Sequence, residues 1–471
     1  MNSYVEKLKK DLSYKESFDV TFREIRTKYH HYTIIFLNFL IKSEGIINII
    51  YSLDHFSSYE GVEQISKIIL NESTTTENNY YLIYDAILSG NVAIFVDDDT
   101  NAILSEVRNY PTRGIEEPDG EKVVRGSRDG FTENIATNIG LIRRRVKSGK
   151  LKTIKYTIGK ISKTNVALVY IEGYVQPKYL EQIKKRLDDV EVEELTMSDK
   201  ALEELLIKNV YTPYPLVKYT ERPDTFASHL YQGMFGIIVD TSPSAILGPI
   251  SIFDHMQHAE EFRQTLISGS YLRFIRFIGI ILSFLAVPIW FTMLQYESLH
   301  FSYLGKIFDV ENNHLAIFIQ LLIMELGIEF IRMASIHTPD ALSTSMGIIA
   351  GVIVGEMAIN MNILSEQIVL LGAISAIGSY ITPSYELSLA NKIAKLIIIF
   401  VVFCFGVYGL IFSLIALLIY LSFLKSFGRP YLYPLIPFNF KALLNQLFRK
   451  PYKKGNINNI YIRNPCKKSF F

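Results

Sequence analysis

The chain has 471 residues, and its 48 Lys and Arg nearly balance its 47 Asp and Glu, which leaves a formal net charge of +1. This balance creates no overall field that favours nucleic acid, so nucleic acid is excluded as an expected partner. Hydrophobic residues make up 49% of the composition, and long apolar runs fill residues 270–424. The distribution excludes a wholly soluble class and predicts an integral membrane protein in a lipid bilayer.

The first 30 residues are charged and lack the apolar core of a signal peptide, so the N-terminal half is expected to stay in the cytoplasm. The two cysteines, Cys404 and Cys466, offer neither a disulfide framework nor the spacing of a metal site.

Two stretches of the N-terminal half resemble each other: "GNVAIFVDDDTNAIL" at 90–104 and "GMFGIIVDTSPSAIL" at 233–247. Each begins with a turn glycine, continues as a buried strand, and places an aspartate at the strand end before a turn. Strand–turn–strand patterns precede them, at 20–40 and 154–173. The repeat predicts two subdomains of similar plan, and chance similarity of short strand–turn units is the alternative.

The expected fold class is α+β with a membrane part: a cytoplasmic N-terminal region of two similar α/β subdomains, followed by a polytopic α-helical membrane domain. In chain order the predicted parts are 1–120 for the first subdomain, 121–150 for a linker helix, 151–265 for the second subdomain, 266–425 for the transmembrane helices (four to five hydrophobic segments) and 426–471 for a basic cytoplasmic tail.

The linker helix carries apolar residues at helical spacing over 135–146, and Arg143, Arg144 and Arg145 fall in its last turn. Cations in the last turn suit the helix dipole. Together with "RGSRDG" at 125–130 they could bind phosphate or nucleic acid, but solvated arginines at a helix end are the simpler interpretation. No strand leads into a GxxxxGK or GxGxxG loop here, so no nucleotide motif is present.

The stretch "DHMQHAEE" places His255, His258 and Glu261 on one helical face, where they could hold a metal ion. It is not an HExxH motif and has no sulfur ligand nearby, and it lies where polar amphipathic helices precede a membrane. No metal and no cofactor are therefore expected. Without a nucleophile–base pair or a nucleotide loop, the chain is not expected to be an enzyme.

A helix needs about 20 apolar residues to cross the hydrocarbon core. The candidate spans are 274–295, 314–333, 343–362, 364–382 and 396–424. The last run is too long for one upright crossing, so it must tilt strongly or break near "GVYG". Basic residues flank the first and last spans, so both flanks are expected in the cytoplasm. An even number of crossings follows: one candidate is re-entrant or partial, or the last run crosses twice, and four full crossings are favoured.

Small residues recur at every fourth position in the third candidate span, at Ser343, Gly347, Gly351 and Gly355. Such a ridge lets another helix backbone approach closely in lipid. It predicts a pore-lining or helix-packing element, and close packing within one subunit without a pore is the alternative.

Glu325, Glu329 and Arg332 share one helical face just before that ridge. Ionisable groups at membrane depth are costly unless they pair or face a cavity, so these three are candidate functional residues. An intrahelical salt bridge at a helix end near the interface is the alternative. Pro339 in "HTPD" then bars a continuous helix into the ridge.

Several motifs occur in the order seen in one family: "VRGSRDGFTENIATNIGLIRRRVK", "YTERPD", "VDTSPSAI", "HAEEFRQ", "IRMASIHTPDALSTSMGIIAG", "TPSYELSLAN" and "PYLYPLIPFNF". Together they resemble the A-subunit (GerA) family of bacterial spore germinant receptors, over about residues 15–445. The chain has "RGSRDGF" where the family tends to have "RGPREGF", and "AEEFRQ" where it tends to have "DYY". Both departures match one sporulation branch of the family and argue against a direct role in binding a germinant.

The resemblance implies a spore inner-membrane protein that acts in germination, when monovalent ions and dipicolinate leave the spore core. It implies a homo-oligomer, expected to be a pentamer, whose membrane helices enclose an ion pathway, with companion membrane subunits of the germination machinery as partners. Two functions follow: an oligomeric ion channel or channel-like subunit, or a non-conducting scaffold or signalling subunit.

Overall fold

The computed structural model describes residues 3–54, 61–71, 73–110, 126–207, 209–296, 314–337, 358–361 and 363–449. The N-terminal part contains two sheet-forming units, called unit 1 (residues 3–110) and unit 2 (residues 126–255) below. Long apolar helices follow them. The predicted domain limits remain predictions, since residues 111–125 lie outside the described part.

Unit 1 and unit 2 contain the same elements in the same order. Unit 1 consists of α1 (Ser3–Asp11), β1 (Val20–Arg26), β2 (His31–Leu37), a 3-10 turn (Asn38–Leu40), α2 (Ser43–Asp54), α3 (Val62–Ile68), β3 (Thr74–Glu77), α4 (Tyr80–Leu88), β4 (Asn91–Val96) and β5 (Ala102–Glu106). Unit 2 consists of α5 (Ile135–Arg145), β6 (Leu151–Ile158), β7 (Thr164–Ile171), α6 (Pro177–Asp188), α7 (Ser198–Leu206), β8 (Lys218–Thr220), α8 (Pro223–Tyr231), β9 (Phe235–Val239) and β10 (Ala245–Gly248).

The two sheets also share their topology. Their strand orders are β1-β2-β4-β5-β3 and β6-β7-β9-β10-β8, and every neighbouring pair is antiparallel. The repeat predicted from the sequence is thus a duplication of the whole sheet unit, and chance similarity of short segments does not account for it. Because the sheets are antiparallel, each unit is α+β rather than a parallel α/β fold.

Helices cover both faces of each sheet. In unit 1, α1 and α4 pack on one face and α2 and α3 on the other. In unit 2, α5 and α8 pack on one face and α6 and α7 on the other. Successive side chains of a strand point to opposite faces, so a strand covered on both sides must be apolar throughout. This explains the continuous runs "YTIIFL" in β2 and "VALVYI" in β7.

A buried ion pair joins the two units and corrects the interpretation of Arg143 as solvated. Arg143 is 2% exposed, and it donates from Nε to Asp19 Oδ2 (2.6 Å) and from Nη2 to Asp19 Oδ1 (2.9 Å). Asp19 also accepts a hydrogen bond from Thr153 of unit 2. Helical periodicity could not reveal this pair, because Asp19 is 124 residues away in another unit.

The C-terminal part consists mainly of helices. In chain order they are α9 (Ile252–His255), α10 (Ala259–Arg263), α11 (Leu266–Leu294), α12 (His314–His337), α13 (Ala358–Asn360), α14 (Glu366–Ile381), α15 (Tyr385–Phe423) and α16 (Phe440–Leu447), with a two-stranded pair of β11 (Lys425–Ser426) and β12 (Arg429–Pro430) before α16. Within the described residues, α11 and α15 are long and apolar enough to cross a membrane by length and composition, and α14 is a shorter apolar helix.

The helix α15 reverses direction at Gly406, whose φ of 57° and ψ of −137° are not helical. Near its start, Leu389 lines the same cavity as Tyr214, while near its end the Tyr420 ring lies 6.4 Å from that of Tyr214. A straight helix would hold residues 389 and 420 about 45 Å apart, at 1.5 Å per residue. We therefore describe α15 as two antiparallel arms, 385–405 and 407–423, which confirms the break predicted near "GVYG".

The apolar helices run between two ends of the helical part. One end lies beside unit 2, and the other, called the far level below, lies at the Gly406 turn. Gln295, at the end of α11, donates to Val402 O close to the Gly406 turn. The Phe318 ring of α12 stacks 4.5 Å from that of Phe403, so the start of α12 also lies at that far level. At the other end of α12, the Arg332 guanidinium lies 4.4 Å from the ring centre of Tyr385, next to unit 2.

Residues 424–433 pack into unit 2 and are not a free basic tail. Ser426 Oγ donates to Leu216 O (2.6 Å), and Ile252 N donates to Tyr431 O (2.9 Å). Arg429, which counted as a basic flank in the sequence, is fully buried and lies 2.8 Å from Asp254 Oδ2. The second arm of α15 therefore ends on the same side as unit 2.

Candidate functional site: a charged cluster between apolar helices

The predicted residue Glu325 forms a buried ion pair with a lysine of the first arm of α15. Lys395 Nζ lies 2.5 Å from Glu325 Oε1 and donates to Ser375 Oγ of α14 at 2.7 Å. Lys395 is 1% exposed and Glu325 is 8% exposed. Three helices thus meet at one charged contact, although their surrounding faces are apolar.

The predicted residues Glu329 and Arg332 continue the cluster one turn closer to unit 2. Glu329 pairs with Lys392 of α15, and Arg332 Nε lies 3.7 Å from Glu329 Oε1. Arg332 Nη2 is buried and has no hydrogen-bond partner among the described residues. These five residues, Glu325, Glu329, Arg332, Lys392 and Lys395, are called the charged cluster below.

Helix geometry explains why these side chains meet. Spacings of four and three place Glu325, Glu329 and Arg332 on one face of α12, and a spacing of three does the same for Lys392 and Lys395 on α15. The two helices are antiparallel, so acidic residues of one meet basic residues of the other in register. The intrahelical salt bridge that the sequence offered as the alternative is present only as the longer contact between Arg332 and Glu329.

Sequence reasoning missed Lys392, Lys395 and Ser375. The signal was present as two lysines three residues apart in "LANKIAKLIIIF", but the predicted span began at residue 396 and placed both lysines outside it. Taking charges out of water costs several kcal/mol per ion, so the attraction between the paired charges must offset this cost if the helices are to pack. The cluster therefore aligns α12 with the first arm of α15, and it places charged side chains between apolar helices.

The predicted ridge of Ser343, Gly347, Gly351 and Gly355 lies outside the described residues, and its role stays a prediction. The described residues contain another contact between small residues, where α11 crosses α14. A side chain added at Gly378 would collide with the Gly279 carbonyl oxygen. Close approach through small residues is how helices associate in lipid.

The alternative metal site at His255, His258 and Glu261 is not assembled as one. Glu261 is fully buried and pairs with Arg273 (2.7 Å) and Arg276 of α11. Desolvation lowers the pKa of His255 to about 3 and that of His258 to about 4. No group of three or more His, Cys, Asp or Glu in the described part of the chain could hold a metal ion.

Two arginines of the alternative phosphate site, Arg143 and Arg145, are paired with carboxylates. Arg145 pairs with Asp129 of "RGSRDG". Arg222 of "YTERPD" lies 3.0 Å from Asp224, which also pairs with Arg263. Arg222 also donates to Ser127 O of the loop before α5. These contacts therefore connect that loop, the start of α8 and α10.

The family model described as "Bacillus/Clostridium GerA spore germination protein" matches residues 6–459. Stage V sporulation protein AF of Bacillus subtilis (strain 168) is 41% identical over 455 residues, 95% of this chain and 92% of that protein. Spore germination protein A1 of the same organism is 33% identical over 375 residues, 78% of this chain and 77% of that protein.

A solved structure, the N-terminal domain of the A subunit of the Bacillus megaterium spore germinant receptor GerK3, is 24% identical with a TM-score of 0.41, covering 52% of this chain and 92% of that chain. The family expected from the motifs is confirmed, and so is its branch, that of Stage V sporulation protein AF. The chain belongs to the GerA family of spore germination proteins.

Proposed function

We propose that the chain is a subunit of an oligomeric ion channel of the spore inner membrane, which promotes release of ions and dipicolinate in germination. The observation that carries the proposal is the charged cluster, which places two carboxylates and three cations between apolar helices. Ionisable residues at such depth are expensive, and in membrane proteins they typically mark ion pathways and gates. The role in germination is supported by the relatives in the GerA family.

The proposed topology has six crossings, with both flanks on the cytoplasmic (core) side. α11, α12, α14 and the two arms of α15 give five passes between the two levels. The end of α12 lies near unit 2. Ser365, just before α14, donates from its backbone N to Gln320 Oε1, and Gln320 lies nearer the far level. The sixth crossing is assigned to the span 343–362 expected from the sequence, most of which lies outside the described residues. The sequence favoured four crossings, and its alternative, in which the run 396–424 crosses twice, leads to six.

The proposed assembly is a homo-oligomer, expected to be a pentamer, with companion membrane subunits. Within it, the ridge from Ser343 to Gly355 either lines the pore or packs against a neighbouring helix. The charged cluster lies beside Tyr385, at the start of α15 and next to unit 2. It is therefore placed to transmit a change in the N-terminal units to the membrane helices.

A non-conducting scaffold is the second candidate, and one observation favours it. Both carboxylates of the charged cluster are paired within one chain, so the cluster could serve only to hold helices together. Ion flux through the purified protein in liposomes separates the two functions. A channel raises flux above that of empty liposomes, and a scaffold does not.

Variants sharpen the flux experiment. Glu325→Leu combined with Lys395→Met replaces the buried pair by apolar side chains, which is often neutral for stability. If the pair lies on the ion pathway, the double variant assembles but conducts differently from the parent. The exposed pair Glu6 and Lys9, 3.2 Å apart, provides the control when both are changed to Gln.

The ridge has its own test. Gly351→Leu is expected to weaken the oligomer or block flux, whereas Ile353→Leu keeps the volume and should do neither. Oligomer size in detergent is measured first, so that flux is compared only among variants that assemble. A Gly351→Leu protein that assembles and conducts like the parent would show that the ridge faces lipid.

A further inference from the structure

The helix α16 presents an apolar face that nothing in the described structure covers. Phe440 and Leu444 are spaced by four and share one side of the helix, and Phe448 follows directly after its last residue; the three are 61%, 38% and 53% exposed. On the opposite side Leu443 packs on the core that joins unit 2 to α15, and Gln446 is buried. The helix is therefore amphipathic, with one face docked on the protein and the other unpartnered.

Hydrogen bonds fix the level of α16 relative to α11. Arg273 Nη1 donates to Asn445 O (3.2 Å) and to Gln446 O (3.1 Å), and Arg449 N donates to Ser270 Oγ (3.1 Å). The long uncharged run of α11 begins after Arg276, about one turn beyond Arg273. If α11 crosses the bilayer, α16 lies where its hydrocarbon part begins, at the boundary with water.

Other exposed apolar side chains lie around the same level. Ile267 and Tyr271, in the first two turns of α11, are 83% and 62% exposed, and Phe438 before α16 is 68% exposed. Large apolar patches on a protein surface mark contacts with a partner or a membrane. Aromatic and aliphatic residues that stand beside a crossing helix at its entry level suit the interfacial layer of a bilayer.

The charges on α16 and in the sequence that follows it indicate the type of membrane surface. Lys441 is exposed on α16. The sequence after α16 contains no Asp or Glu from residue 450 to the end, but six basic residues, Lys450, Lys453, Lys454, Arg463, Lys467 and Lys468. Basic residues next to a membrane helix are attracted to anionic headgroups by about 1 kcal/mol each.

We propose that the outward face of α16 lies in the headgroup layer of an anionic membrane, with Phe440, Leu444 and Phe448 inserted at the acyl boundary. An amphipathic helix of this kind lies in the plane of the interface, and its binding combines buried apolar area with attraction to anionic lipid. The inference rests on the membrane placement proposed above. Through Arg273 and the packing of Leu443, this face connects the lipid surface to the start of α11 and to the base of unit 2.

The test places a fluorophore on the full-length chain in a background with Cys404→Ser and Cys466→Ser. Single cysteines at Leu444→Cys, Ile415→Cys and Tyr211→Cys carry the label, and the protein is reconstituted into phosphatidylglycerol-containing vesicles with lipids brominated at shallow or deep acyl positions. Ile415 is 51% exposed on the second arm of α15, and Tyr211 is 98% exposed on unit 2.

The expected result is stronger quenching by shallow than by deep bromines at position 444, the reverse order at 415, and none at 211. In vesicles of phosphatidylcholine alone, quenching at 444 should decrease while that at 415 stays the same. Quenching at 415 without quenching at 444 would overturn the inference and leave the proposed membrane placement intact. Absence of quenching at 415 would contradict that placement itself.

Two further outcomes also count against the inference. Equal quenching at 444 in anionic and neutral vesicles would overturn its anionic part. A label at 444 that is protected from bromines, with emission that shifts to the blue as the protein-to-lipid ratio rises, would show that another copy of the chain covers this face.

Discussion

Three consecutive arginines end α5, and their surroundings differ sharply. Arg143 is buried and makes a two-pronged contact with Asp19, whereas Arg144 is exposed, with its guanidinium 5.4 Å from the Tyr110 ring centre. From the sequence, solvated arginines were the simpler interpretation for all three. The structure removes that premise, since loss of Arg143 leaves the buried carboxylate of Asp19 uncompensated.

Arg143→Ala is expected to lower the free energy of unfolding by about 3–5 kcal/mol, because it breaks a buried ion pair. Arg144→Ala should change it by less than about 0.5 kcal/mol, as surface substitutions usually do. Thermal and denaturant unfolding of the purified protein in detergent measures both. Similar, small effects of the two substitutions would show that the contact between Arg143 and Asp19 contributes little.

Two histidines of unit 2 are buried in the neutral state. Desolvation lowers the pKa of His229 to about 4 and that of His255 to about 3, and the nearby charge of Lys218 acts in the same direction. Unfolded histidines protonate near pH 6.5. The unfolded chain therefore binds more protons than the folded chain below that pH, which favours unfolding.

Stability is expected to fall as pH decreases from 6.5 to 4, by up to about 1.4 kcal/mol per pH unit for each histidine. Desolvation acts to raise the pKa of Asp254, but the charge of Arg429 and hydrogen bonds from Ser251 lower it below its usual value, so its contribution is lost at still lower pH, as pH falls through its folded value. Unfolding midpoints at pH 7 and pH 4.5 measure how steeply stability changes with pH. The double variant His229→Gln with His255→Gln should reduce this pH dependence to the part due to His258, whose pKa is also lowered to about 4. An unchanged pH dependence would contradict the assignment.

At the scale of elements, α11 and α14 approach each other through small residues. Besides Gly279 and Gly378, Ser375 Oγ donates to Ser283 O across the same contact at 2.9 Å. Serines and glycines at these positions let the two backbones come together where no hydrophobic force drives helices into contact. The sequence showed "SAIGS" in α14 but gave no means of identifying which helix it would meet.

Gly378→Leu is expected to separate α11 from α14 and to reduce the yield of folded, assembled protein. Overpacking of a close contact typically costs about 1–3 kcal/mol, and a backbone neighbour such as Gly279 O cannot move aside like a flexible side chain. The adjacent Ile377 is 59% exposed, so Ile377→Leu is the control and should have no effect. Size-exclusion profiles and melting temperatures in detergent compare the two, and equal behaviour would contradict the contact.

At the scale of the whole molecule, the C-terminal segment completes unit 2. Phe427 belongs to the core under the sheet, with its ring centre 5.2 Å from that of Phe235, and Arg429 neutralises Asp254. Unit 1 is joined to unit 2 by Asp19 and Arg143, so the N-terminal units and the end of α15 form one connected structure. A fragment of residues 1–255 would therefore lack Phe427 and Arg429.

The fragment 1–255 is still expected to fold, since each unit has its own core, but unit 2 should be less stable in it than in the full chain. Asp254→Asn should destabilise the full chain by about 3–5 kcal/mol, because it leaves Arg429 buried and unpaired. In the fragment the same substitution should be neutral or stabilising, because Arg429 is absent. Melting curves of the four proteins test this, and equal effects in both contexts would contradict the role assigned to Arg429.

The sequence by itself determined features that depend on neighbouring residues. The duplicated strand–turn pattern identified the two units, and helical spacing placed Glu325, Glu329 and Arg332 on one face of α12. The glycines in "GVYG" marked the reversal of α15, because a backbone conformation like that of Gly406 is open almost only to glycine. Each of these is a local property, so it can be recognised without knowing what lies opposite.

Only the tertiary structure decided which partners face these residues. Lys392 and Lys395 complete the charged cluster, and Asp19 pairs with the buried Arg143. Arg429 comes from the C-terminal part of the chain and pairs with Asp254 inside unit 2. The members of each pair are separated by 60 residues or more, so helical or strand periodicity cannot relate them. A buried charge requires a partner but does not specify one, and the packing of whole elements makes that choice.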